Sequence, residues 1–109
     1  MQKLDRLTDT GLSEAHLDLL QSVFEATEWL EEAILFGSRA KGTAAPESDI
    51  DIACTGTRDS LEVARLADAL EDLPLPYQFD VVGLESLEDA PLLDHIRRVG
   101  IRLYKRSAA

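Results

Sequence analysis

Four apolar residues, Ala33-Ile34-Leu35-Phe36, stop at Gly37-Ser38, and a short way on Asp49-Ile50-Asp51-Ile52-Ala53 alternates polar with apolar. A short apolar run halted by glycine reads as a buried strand that feeds directly into a turn. Period-two alternation reads as a half-buried strand. Side chains at i and i+2 share a face, so Asp49 and Asp51 project together while Ile50 and Ile52 enter the core on the other side.

The rest of the chain alternates helix and strand patterns with short breaks. From Ser13, an N-cap residue type, Leu17, Leu20 and Phe24, joined by Leu19, Val23 and Ala26, recur at helical spacing up to about Thr27. Asp59 with Glu62 three residues on resembles a capping box, and Val63, Leu66, Ala67, Leu70 and Leu73 follow until Pro74 ends them. Residues 77 to 82, aromatic and β-branched, predict a third strand with Asp80 in its middle. Pro91, then Leu92, Leu93, Ile96 and Val99 with Gly100 behind them, predict a last helix, and residues 101 to 104 a short final strand. The order implies an α/β or α+β layer, a small sheet packed by helices. Periodicity leaves parallel and antiparallel pairing open.

At 109 residues the chain is expected to form one domain over 1–109, with no room for a separate substrate-recognition domain. A net charge of −10 repels nucleic acid at long range, argues against direct nucleic-acid binding, and better suits a basic protein partner. The one cysteine, Cys54, has no internal disulfide partner, and neither a secretory h-region nor a membrane-length apolar run is present. A cytoplasmic protein is expected.

Two carboxylates on one wall can bridge divalent cations, and an open, oxygen-only pair suits magnesium rather than zinc. Asp80 is the odd residue of an apolar strand, where a carboxylate needs a partner or a cation. If its strand lies beside that of Asp49 and Asp51, the three form a triad able to hold two ions about 3.5–4 Å apart, one activating a hydroxyl and the other neutralising the leaving phosphate. Asp80 would then bind the activating ion and take the proton. Upstream, Gly37 lets backbone approach a phosphate, and Ser38 offers a hydroxyl and an amide at the start of a short helix. Arg39 and Lys41 would add positive charge for the triphosphate, Gly42 the tight exit toward the loop of residues 43 to 48, and Ser48 a cap that orients Asp49.

Gly37-Ser38-Arg39-Ala40-Lys41-Gly42, followed by Ser48-Asp49-Ile50-Asp51-Ile52 and by Asp80 on a later strand, closely resembles the minimal nucleotidyltransferases of the DNA polymerase beta superfamily. The resemblance spans nearly the whole chain, since residues 94 to 104, with Gly100 and Leu103-Tyr104, also look like that family's ending. The family most often has Arg where Lys41 stands, and no triad carboxylate is missing. What the resemblance implies is a polymerase beta-like fold and the antitoxin of a toxin–antitoxin pair. Such an antitoxin, with magnesium, transfers AMP from ATP to a tyrosine of a cognate HEPN-domain toxin and silences its RNase activity.

Two other readings share the motif. One is a nucleotidyltransferase acting on a small molecule, similar to the antibiotic-modifying enzymes, which would need a partner subunit to supply the acceptor site. The other is a non-catalytic antitoxin that acts by binding alone. His16 and His95 lie in helical patterns without a second ligand at metal spacing and read as surface or packing residues, outside the site. Cys54 reads as a small buried thiol, Trp29 as core, and the acidic residues of the helices as solvated faces.

Overall fold

In the computed structural model, which describes residues 10–106, the apolar run becomes strand β1 (Glu32–Phe36) and Gly37–Lys41 a five-residue helix, α2. Ahead of them α1 (Glu14–Ala26) starts at Ser13, whose Oγ accepts the His16 N–H at 3.1 Å while its own N–H donates to His16 Nδ1 at 3.4 Å. The alternating segment forms β2 (Ile50–Thr55), and α3 (Ser60–Glu71) leads to β3 (Phe79–Gly83). A 3₁₀ turn (Leu84–Ser86), α4 (Ala90–Val99) and β4 (Ile101–Lys105) complete the order.

The strands make one sheet in the order β3-β2-β1-β4. Strand β1 runs antiparallel to both β2 and β4, with a register shift against β4 between Ala33 and Ile34. Strands β2 and β3 are parallel, which requires the intervening α3 to cross over the sheet. The pairing left open by periodicity is therefore mixed.

The two faces of the sheet are packed differently. On one, Ala33, Leu35, Ile50, Ile52, Cys54, Ile101 and Leu103 meet Leu20 and Phe24 of α1 and Leu66 and Leu70 of α3 in the main core. On the other, Phe36 and Ala53 meet Ile96 of α4 in a smaller cluster. Each fully buried Leu, Ile or Phe contributes roughly 1.5–3 kcal/mol. Ile50 and Ile52 thus anchor β2 through one face and leave Asp51 on the sparsely covered side.

Three local expectations change. The ladder begins at Ile50 instead of Asp49, which is exposed in the preceding loop. Strand β3 begins at Phe79 because Tyr77 is taken up elsewhere, its ring lying 4.6 Å from the Arg39 guanidinium carbon and 5.4 Å, edge-on, from His16. Asp59 caps α3 through Leu61 N–H at 2.9 Å, but Glu62 pairs with Arg65 instead of closing a capping box. Among the described residues no helix is long and apolar enough to cross a membrane.

Candidate active site

Asp51 stands directly opposite Asp80 in the parallel β2–β3 ladder. Partners in a ladder share a face, and Asp51 also faces Phe36 across β1, so both carboxylates lie on the side of the sheet that carries α4. The conditional triad of the sequence thus has its strands side by side. Asp80 itself is exposed, on an edge strand, so the premise of a buried carboxylate is corrected: water covers this end of β3.

Asp51 feels the other two aspartates. Burial, then the charge of Asp80, then that of Asp49, hold the Asp51 carboxyl above its ordinary value, with His95 and Arg39 pulling the other way. Like charges crowded in this manner favour a cation between them. The donor set is carboxylate oxygen throughout, which fits magnesium. Among the described residues no three His, Cys, Asp or Glu side chains are drawn into a ready-made metal cage. An open wall of this kind matches an ion that keeps waters and shares its shell with phosphate.

Gly37 sits hard against this wall. Its φ is +75°, and a Cβ there would fall 2.1 Å from Asp51 Oδ2. Only glycine fits, and the chain thereby delivers Ser38, half-buried in the first turn of α2, beside the carboxylates. The Gly37 N–H donates to His95 Nε2 at 3.1 Å, and the His95 ring packs edge-on to Phe36 with centroids 6.2 Å apart. His95, set aside as a packing residue by sequence, therefore borders the site.

Arg39 does not hold its expected place. Its side chain is 1% exposed, with Nε and Nη2 donating to Ser48 O at 3.2 and 2.8 Å, Nη2 to Pro46 O at 3.0 Å and Nη1 to Thr10 O at 2.9 Å. The guanidinium points inward because only there do carbonyls satisfy its fork and Tyr77 cover its face. A phosphate ligand is thus corrected to a clamp on the loop that delivers Asp49. Ser48 takes part through its backbone, its carbonyl held by Arg39 and its N–H donating to Ala45 O at 3.0 Å. Lys41 is exposed at the end of α2, and Gly42 caps that helix in the left-handed conformation, φ +78°.

A cleft of about 400 Å³ opens farther along the same sheet face, with Ile34, Leu84, Leu93 and Ile96 in its wall. None of the three aspartates lines it.

A mixed four-stranded sheet with a glycine-serine turn set against paired carboxylates defines a polymerase beta-like nucleotidyltransferase fold. The family described as Polymerase beta, Nucleotidyltransferase matches residues 19–109, and the chain belongs to it. No curated protein matches the chain. Among solved structures it is similar to a chain of a toxin–antitoxin crystal structure with AMP-PNP, at 28% identity and TM-score 0.70 over 84% of this chain and 74% of that one. It is also similar to a chain in the structure of a tri-AMPylated Shewanella oneidensis HEPN toxin in complex with MNT antitoxin, at 25% identity and TM-score 0.63 over 83% and 70%. A nucleotidyltransferase from Sulfolobus solfataricus, at 16% identity and TM-score 0.56 over 97% and 89%, shares the fold.

Proposed function

We propose that this chain is a magnesium-dependent adenylyltransferase that moves AMP from ATP to a tyrosine hydroxyl of a cognate HEPN-domain RNase toxin and so neutralises it. The observation that carries the reading is Asp51 paired with Asp80 on one sheet face while Gly37 packs against Asp51. Gly37 and Ser38 hold the triphosphate against the carboxylate wall, with Lys41 adding charge from the end of α2. Asp49, Asp51 and Asp80 are the residues that would hold magnesium, which when bound neutralises phosphate charge and activates the hydroxyl.

Asp80, exposed on an edge strand, is the carboxylate an incoming acceptor can reach, and it takes the hydroxyl proton. The acceptor oxygen then bonds to the α-phosphorus as pyrophosphate leaves. A toxin–antitoxin neighbour with AMP-PNP and another with an AMPylated HEPN toxin support ATP as donor and a HEPN protein as acceptor. The net charge of −10 supports a protein in place of nucleic acid as the acceptor.

The test is to incubate the chain with labelled ATP, magnesium and the product of the adjacent gene, and to map label by mass spectrometry. Label on a partner tyrosine, lost with Asp51→Asn, is the expected result. A tight inhibitory complex that never acquires label would refute the transfer, and label confined to added small molecules would refute the protein acceptor.

A further inference from the structure

The hydrogen bond donated by Gly37 ends far along the chain, on His95. His95 lies on the stripe of α4 that includes Leu92 and the buried Ile96, and α4 packs on β1 and α2. Ring contact with Phe36, at an interplanar angle of 82°, fixes the imidazole plane. Nε2 accepts the Gly37 N–H in the neutral form of the ring. The α-carbon of the same glycine has no room to move toward Asp51. Gly37 is therefore held from two sides, by His95 through its amide and by Asp51 through van der Waals contact.

That arrangement decides where the next residues of the turn point. Without an acceptor for its amide, the Gly37 peptide would be free to rotate about the very bonds that glycine leaves soft. The Ser38 amide and hydroxyl would then lose their fixed distance from the carboxylate wall. We propose that His95 is a positioning residue for nucleotide binding, holding the Gly37-Ser38 turn in the conformation that receives the triphosphate. The proposal rests on the nucleotidyltransferase reading of this site and deepens it. His95 needs no contact with nucleotide to act.

The experiment compares ATP affinity in the full-length wild type and two variants by calorimetry with magnesium present, alongside melting curves. His95→Phe keeps an aromatic ring against Phe36 but removes the acceptor, and is expected to weaken ATP binding about tenfold, as when the receiving conformation of the turn falls to about a tenth of the population. His95→Gln places an amide oxygen at similar reach and is expected to restore most of that loss. Affinity is read well below the melting temperature of either variant, which separates positioning from general stability. Equal ATP affinity in wild type and His95→Phe overturns the proposal, as does equal loss in both variants. A wild type that shows this affinity pattern yet transfers nothing to its partner would support the positioning role and refute the transferase reading. A wild type that binds no ATP would refute both.

Discussion

Gly37 packs on Asp51 so tightly that a single added methyl group would overlap the carboxylate, its Cβ 2.1 Å from Oδ2. The turn and the acidic strand are thus one unit, built from a residue with no side chain and a residue whose side chain fills that space. Gly37→Ala must move one or the other, and it also forces an L-residue to φ +75°. Strain of about 1–3 kcal/mol is expected, read as a lower midpoint in urea. Transfer activity should fall by about 100-fold or more, since displacing a reacting geometry by 1 Å costs that much.

Asp51 should trade stability for function. Its raised pKa means the folded chain holds the proton more tightly than the unfolded chain. The folded state is therefore favoured at low pH, and this contribution is lost as pH rises from the ordinary value of 3.8 through the raised one. Asp51→Asn removes that decline. Urea unfolding in chelator should find the variant more stable than wild type at pH 7, with the difference shrinking toward pH 4. Magnesium should raise the wild-type melting temperature and leave the variant nearly unmoved, because only the carboxylate set gains from the ion.

Arg39 and Lys41, two residues apart in one short helix, should behave oppositely. Lysine cannot reproduce the fork that reaches Thr10, Pro46 and Ser48, so Arg39→Lys should cost at least about 2 kcal/mol. For a domain of this size that is a drop of about 8 °C or more in melting temperature. Lys41→Ala, on the surface, should stay within about 0.5 kcal/mol of wild type. Its effect belongs instead to ATP affinity, measured by calorimetry, and should fade in high salt.

The Cys54 thiol, buried and near Glu85, is pushed up to about 11. Thiolate is the reactive form, so iodoacetamide at pH 8 should label the native chain slowly. Denaturant should restore ordinary reactivity. Rapid labelling of the native chain, followed by mass spectrometry, would contradict the burial.

Much of the site is readable from order along the chain. Gly37-Ser38 and the Asp49/Asp51 spacing announce themselves, because a glycine that must pass close to a carboxylate and isoleucines that must be buried leave periodic marks. Which strand sits beside which leaves none, so the meeting of Asp51 and Asp80 had to await the β2–β3 ladder. The odd-residue argument for Asp80 points to the right neighbour for the wrong reason, since the side chain is exposed. Arg39 misleads because an arginine beside a phosphate turn looks the same in sequence whether its fork faces out or in. His95 is missed because its contact with Gly37 joins residues 58 apart. One signal was available: it is a polar residue on the Leu92–Ile96 stripe, where a donor or acceptor has to be spent on something.

The parallel pairing of β2 and β3 also fixes when the site comes into being. The antiparallel contact of β1 with β2 joins segments near in sequence, and it can bring Gly37 against Asp51 early in folding. Asp80 can join only after α3 has been laid across the sheet, a longer closure with a larger entropic cost. A chain still folding would thus hold a phosphate turn without its third carboxylate. The Gly37–His95 contact spans 58 residues and closes later still, so turn, carboxylates and imidazole come together only in the complete fold.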